Sequence, residues 1–475
     1  MSKSEKFRYL MLVLPVLLVF IAVGAIVAAS AGGPLGASAD NTTASTVYAN
    51  INITPGSDPS QLCFSWETTS ALIPAESTEP IPAVQIARAS AMTGGVFPES
   101  RATTFYGQSI EAYVNPASAG TFSVPITPTA TVFAGWYQNK VTATGLKPNT
   151  SYVYRYGNGT ESNWSTVYSI KTGNPNSYSF LAMGDPQLGA CLEPTGPRTL
   201  AADTEGWQNT MADAGKLFPN DSFMLSVGDE VNNTSSQQSQ DNEYAAYFSA
   251  SQMQDLPIAN VDGNHDYYMG PYYGYHYDFP NQSAQYGATQ WGNDGDFWFT
   301  YGNALFMVLN SNTLDVATHD AFIGQAIAAN PNAKWRIVSF HHSLYCEADG
   351  NNADIEWRRL TYPSVFDKYK IDVVLSGHDH TYNRSYQMLG GVPQKKQTYY
   401  NGSVLHPTGT VYFTLDSGSG DKFNQFAGVP EAYTAFRWQQ NVATFSQVSI
   451  SDSQFSIVVY RTDNNQIVDK YSIVK

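Results

Sequence analysis

Only three cysteines occur in 475 residues, Cys63, Cys191 and Cys346. They form no Cys-x-x-Cys pair, which argues against a structural zinc site built on thiolates, and an odd number leaves at least one thiol outside any disulfide. Cys191 and Cys346 each follow a polar motif by a few residues, so a disulfide between them and three buried thiols both stand as readings. Charge is equally scarce. Asp, Glu, Lys and Arg supply 14% of the chain, and 40 acidic against 25 basic residues leave a formal net charge of -15. Without a basic footprint the chain has nothing to track a nucleic acid or an anionic membrane surface. A small phosphorylated substrate is compatible, because bound divalent cations reverse the local field. The chain shows no internal repeat, and its length suits two folded domains.

What is present begins with an export signal. Lys3, Lys6 and Arg8 precede an uncharged apolar stretch from Tyr9 to Ala29. Small residues at Ala29 to Ala31 suit cleavage, whereas the length of the run suits a bilayer span, so residues 1–31 read as a signal peptide or an N-terminal anchor. Either way the rest of the chain lies outside the cell, secreted or tethered to the outer face, and membrane contact is confined to this segment. Residues 32–46 are small and polar, a flexible tether. From 47 to 172, short alternating runs such as Gln61–Trp66 and Ser151–Tyr156 predict an all-β sandwich. There, Leu146-Lys147-Pro148 followed by Tyr152 predicts a corner in which the tyrosine hydroxyl ties a strand back to the preceding turn. This domain is expected to position its neighbour rather than to bind substrate.

Beyond a linker at Gly173–Asn176 the pattern changes. Residues 177–475 carry continuous apolar runs, the mark of strands buried on both faces, alternating with helical segments at Thr204–Leu217, Glu243–Met253, Asp320–Ala328 and Ile355–Tyr369. This predicts an α/β domain closed by a β-hairpin within 443–475. Five of the runs end in the same kind of chemistry: Gly184-Asp185-Pro186-Gln187, Gly228-Asp229, Gly263-Asn264-His265-Asp266, His341-His342 and Gly377-His378-Asp379-His380. Open α/β sheets place ligand sites beyond the carboxyl ends of their strands. Five such ends converging would gather carboxylate, amide and imidazole ligands, a set that suits two divalent metal ions, of which iron, zinc and manganese are the candidates.

In order and context these blocks resemble the five motifs of the purple acid phosphatases and related calcineurin-like metallophosphoesterases: D-x-G, G-D-x-x-Y, G-N-H-D/E, V-x-x-H and G-H-x-H. The preceding sandwich is similar to the fibronectin type III-like domain of the larger members. The resemblance implies a four-layer α/β (α+β) metallophosphoesterase sandwich behind that domain. Carried over by motif, it implies Asp185 and His380 on the first metal, Asp229 bridging, and Asn264, His341 and His378 on the second. His341 is preferred to His342 by the V-x-x-H register. The implied reaction is hydrolysis of phosphate esters, in the acid phosphatase manner, by in-line attack of a metal-bound hydroxide. His265 is the expected general acid and Asp266 its orienting partner. Two departures stand out: Asn232 occupies the place of the tyrosine that gives ferric members their colour, and Gln187 stands where relatives carry Gly or His, giving a weak metal or water contact. Arg384 is a candidate for substrate phosphate, with a structural ion pair as the competing role. Phosphodiester or nucleotide hydrolysis on the same metals is the alternative, with Tyr267, Tyr268, Tyr272, Tyr273 and Tyr275 as a candidate surface for stacking a base and simple packing as their competing role. A non-catalytic surface binding protein is the third reading.

Overall fold

The computed structural model describes residues 48–71, 81–115, 131–158, 163–190, 199–232, 236–348 and 353–475. The leader, the tether and Cys191 lie outside these residues. Among them, no helix is long and apolar enough to cross a membrane.

The first part is a pair of four-stranded antiparallel sheets. One runs in the order Tyr48–Pro55, Leu62–Thr68, Val132–Ala143, Gln108–Val114, the other Thr103–Tyr106, Ala83–Arg88, Ser151–Gly157, Tyr168–Lys171. Alternation delivers Phe64 and Trp66 from one sheet against Tyr154 and Tyr156 of the other, with ring centroids 5.2 and 5.0 Å apart. Period two places these large rings on one face, and their burial closes the sandwich. At the expected corner the Lys147 N–H donates to the Tyr152 hydroxyl at 2.8 Å.

The second part stacks two sheets face to face. The eight-stranded sheet runs Ile258–Asn260, Met224–Ser226, Tyr178–Met183, Thr444–Ile450, Gln454–Arg461, Ile467–Val474, Ser403–Leu405, Thr398–Tyr400. The seven-stranded sheet runs Phe297–Tyr301, Ala304–Val308, Trp335–His342, Val373–Gly377, Val411–Thr414, Tyr382–Ser385, Thr434–Trp438. One strand shows why its sequence is apolar throughout. Ala304, Phe306 and Val308 enter the core between the sheets, and Leu305 and Met307 pack with Phe322, Ile323 and Phe366 of the covering helices Val316–Ala329 and Ala353–Tyr369. Helix Leu200–Leu217 buries Trp207, Met211 and Ala214 in the first core, so the order is helices, sheet, sheet, helices.

One expectation is met and extended, and one is corrected. The tail forms the expected antiparallel hairpin pairing and goes further: it supplies three adjacent strands of the eight-stranded sheet, with Thr444–Ile450 paired directly to Tyr178–Met183. Alternation reveals that a segment is a strand, but not which strand lies beside it. The second helix spans Gln237–Tyr247 rather than Glu243–Met253, because the Ser236 hydroxyl caps the Ser239 N–H. Its first turn, Gln-Gln-Ser-Gln, has no apolar period to announce it.

Candidate metal centre

The parallel strands of both sheets end at one place. Asp185, Asp229 and Asn264 follow three neighbouring strands of the eight-stranded sheet, while His341, His378 and His380 come from two neighbouring strands of the seven-stranded sheet. The sheet ends are joined by a bridge between Gly184 and Ser417, where the Gly418 N–H donates to the Gly184 carbonyl at 2.6 Å. Five residues here have left-handed backbone: Asp185 (φ 37°), Gln187 (35°), Asp229 (52°), His378 (73°) and His380 (47°). Such conformations are costly for residues with a Cβ and gather where geometry serves a site.

All six predicted ligands crowd together. His341 Nε2 lies 3.1 Å from Asp229 Oδ2, 3.1 Å from Asn264 Oδ1 and 3.2 Å from His378 Nδ1. Asn264 Oδ1 is 2.9 Å from His378 Nδ1, and His380 Nε2 is 3.8 Å from Asp185 Oδ1. The backbone N–H of His378 donates to both oxygens of Asp185, at 2.8 and 2.9 Å. Backbone approach is so close that a Cβ on Gly263 would sit 2.1 Å from Asp229 Oδ1, and one on Gly377 would sit 2.3 Å from Asp185 Oδ2.

The donor arithmetic points to a cation. His341 Nδ1 lies 3.0 Å from the Val227 carbonyl, an acceptor, so that nitrogen carries the proton. In the neutral ring Nε2 is then a lone pair, facing a carboxylate oxygen and an amide oxygen that also only accept. His378 Nδ1 can donate to Asn264 Oδ1, so it is the contact of Nε2 with Asp229 that calls for a second proton on the His341 ring or a metal ion at the centre. Burial opposes a charged ring, but Asp229 overcomes it and raises His341 to about 9. Conversely, burial pushes Asp229 up, while His341 and His265 together hold it below the usual carboxylate range. Burial, followed by the charge on His341, lowers His378 to about 3. Burial also lowers His380 and raises Asp185. One proton on His341 thus stands where a divalent ion would satisfy Asp229, His341 and His378 together.

Around this cluster some expectations change. His265 Nδ1–H donates to the Asn232 carbonyl at 2.9 Å, not to Asp266. The Asp266 carboxylate instead accepts the N–H groups of Gly263 at 3.0 Å and Glu230 at 3.3 Å, clasping the loop that carries Asn264 and His265. Arg384 is paired with Asp469, Nε to Oδ2 at 2.7 Å, and its guanidinium lies over Tyr471; it ties the last strand into the fold. His342 is turned to the Ser311 hydroxyl at 2.7 Å, which leaves the centre to His341. Gln187 Nε2 donates to Asn232 Oδ1 at 2.9 Å, and Gln187 Oε1 is buried without a partner among the described residues. Tyr272 and Tyr273 are buried packing residues. Tyr272 accepts a bond from Trp136 Nε1 at 2.8 Å, and His276, four residues on, pairs with Glu67 at 2.9 Å, so the sandwich braces the segment after His265. His319 is bound to Asp296, and His406 is exposed.

The sequence reading missed the loop after Val411–Thr414. Ser417 Oγ donates to the Asp185 carbonyl at 3.2 Å and also bonds Asp421, whose Oδ1 lies 3.8 Å from His380 Nδ1. The signal was available: another apolar run, Val411–Leu415, ending in Asp416.

Both domains are similar to known proteins. Residues 178–382 match the calcineurin-like phosphoesterase family and residues 48–172 the purple acid phosphatase N-terminal domain. The human acid phosphatase type 7 is 24% identical over 337 residues, 63% of this chain and 68% of that protein. Purple acid phosphatase 1 of Ipomoea batatas is 30% identical over 105 residues, 22% of each chain. The structure of a purple acid phosphatase from yellow lupin (Lupinus luteus) seeds superposes with a TM-score of 0.66 at 16% identity, covering 90% of this chain and 74% of that one. The chain therefore carries a calcineurin-like phosphoesterase domain preceded by the N-terminal domain of the purple acid phosphatases, the make-up of a metallophosphoesterase.

Proposed function

We propose that the protein hydrolyses phosphomonoesters at a dinuclear centre, with Asp185 and His380 holding one divalent ion, Asp229 bridging, and Asn264, His341 and His378 holding the other. The observation that carries this reading is the convergence of Asp229 Oδ2, Asn264 Oδ1 and His378 Nδ1 within 3.2 Å of His341 Nε2 at one buried point. When bound, a divalent pair supplies a nucleophile from water at neutral pH and neutralises charge on the phosphoryl oxygens.

The chain's own residues supply the rest. Because Nδ1 of His265 donates to the Asn232 carbonyl, a proton carried on Nε2 is the one available to a leaving alkoxide. Burial, aided by Lys422 and opposed by Asp229, holds the His265 ring below its ordinary value, so the doubly protonated ring that this role requires is populated on the acid side of neutrality. The Asp229 carboxylate accepts the His265 backbone N–H at 2.9 Å, so the acid and the bridging ligand are positioned together. The unpartnered Gln187 amide oxygen is the kind of buried acceptor that a cation would satisfy. With Asn232 in place of tyrosine, the first site has no phenolate and the pair is divalent and colourless. Burial of Tyr272 and Tyr273 takes from the nucleotide reading two of the five rings that favoured it.

The deciding experiment compares p-nitrophenyl phosphate with bis-p-nitrophenyl phosphate after reconstitution with zinc, manganese or iron. Monoester turnover exceeding diester turnover supports the proposal. The reverse order replaces it with the diesterase reading, and no turnover with any metal returns the protein to the binding class.

A further inference from the structure

The outer face of the eight-stranded sheet carries a transverse row of hydroxyls that plays no part in the metal centre. Ser179 is the direct partner of Ser449, Ser449 of Ser456 and Ser456 of Ser472. Ser472 and Ser403, both largely buried at the floor of the face, join their Oγ atoms at 2.6 Å, the Ser179 hydroxyl donates to Asp221, and Ser403 is the direct partner of Tyr400. Direct partners in a sheet project from the same face. The residues next to them along each strand, Val448, Ile457, Ile473 and Val404, enter the core, so the row lies on the outer face. Six strands at about 4.8 Å spacing make the row ~24 Å long. It ends on the Tyr400 ring, 63% exposed at the edge of the sheet.

Two grooves follow this row. One of about 550 Å³ is lined by Ser403, Ser449, Ser456, Ser472 and Lys470, and one of about 810 Å³ continues past Ser179 toward the sandwich. Ser177, Tyr178 and Ser449 line both, and the Tyr178 hydroxyl is buried without a partner among the described residues. Charge along the two grooves balances, Lys171 and Lys470 against Asp221 and Asp255. Ser179 sits near the amino end of the strand whose carboxyl end leads to Asp185, so the grooves lie away from the catalytic end.

We infer that this face binds a neutral polysaccharide chain. Serine hydroxyls both donate and accept, as sugar hydroxyls do, and a tyrosine face offers an apolar surface to the C–H side of a sugar ring. Ser449 and Ser456 at the middle of the row are the more open hydroxyls, and the length of the face from the sandwich to Tyr400 fits an extended polymer. The balanced charge does not select an anion, and a protein partner would need apolar anchors that the serine row does not offer.

The full chain is mixed with insoluble cellulose, chitin, mannan and xylan, and depletion from solution is measured beside p-nitrophenyl phosphate turnover. Heparin resin and anionic phosphatidylserine vesicles serve as charged comparators. Retention on at least one neutral polymer in high salt is expected, weakened about fivefold or more by Tyr400→Ala combined with Ser456→Val. Phosphatase turnover of that variant stays unchanged, which shows it is folded. Absence of retention on all four polymers, equal retention of the variant, or retention on heparin or vesicles alone overturns the inference.

Discussion

Replacing Gly263 by alanine tests how tightly the backbone holds the bridging carboxylate. The added Cβ would lie 2.1 Å from Asp229 Oδ1, 2.2 Å from Asp229 N and 2.8 Å from Asp229 Cα. Two of these atoms are main chain, so no rotamer change relieves the clash, and either the Gly263 loop or the Asp229 turn must move by about 1 Å. Overpacking of this kind costs about 1–3 kcal/mol of stability. A shift of about 1 Å in a catalytic group costs roughly a hundredfold in rate. Gly263→Ala is therefore expected to fold with a lowered denaturation midpoint, to lose metal affinity, and to turn over p-nitrophenyl phosphate about a hundredfold more slowly at saturating metal. Gly215→Ala is the matched control. Its Cβ would meet only the flexible Gln252 side chain, at 3.4 Å, on the helix Leu200–Leu217. Alanine in that helix should add about 0.5–1 kcal/mol of stability and leave turnover alone. Wild-type metal content and rate in Gly263→Ala would refute the close-approach reasoning.

Other outcomes follow from the same geometry. His265→Ala should reduce kcat by roughly 10² to 10⁴ for alkyl phosphates and much less for p-nitrophenyl phosphate, whose leaving group needs no proton; equal losses on both would remove the acid role. An absorption spectrum of the as-isolated enzyme should show no visible charge-transfer band, because Asn232 carries no phenolate. Burial raises the Asp294 carboxyl from 3.8 to about 6, against the bonds it accepts from Thr289. The folded state holds this proton more tightly than the unfolded chain. The stabilisation is therefore full below pH 3.8, declines as pH rises and is lost above about 6. Two units correspond to about 3 kcal/mol. Urea midpoints taken from pH 4 to pH 7 should accordingly show a shallower decline in Asp294→Asn than in wild type.

The clustering of the proposed metal ligands was legible because their signal is local: an apolar strand and then a ligand, five times over, with a glycine before the ligand in four of the five. The double burial of strands such as Ala304–Val308 made the layers legible as well. Relations between distant backbones were not. His265 is held by a main-chain carbonyl, that of Asn232, and no side-chain identity announces such a partner. Asp266 next to it looked like the orienting group, yet the tight turn aims its carboxylate back at the N–H groups of its own loop and its neighbour's. Ser417 and Asp421 sit in a Gly- and Ser-rich stretch whose composition reads as an ordinary turn. Arg384 follows the last motif in sequence, but the next strand carries it away to Asp469.

The most direct test is a crystal structure with anomalous scattering data at the absorption edge of the metal found in the purified protein. Two peaks flanking the Asp229 carboxylate, one beside Asp185 and His380 and the other beside Asn264, His341 and His378, are the predicted result. A single peak, or metal bound elsewhere in a protein that still hydrolyses phosphate esters, would contradict it.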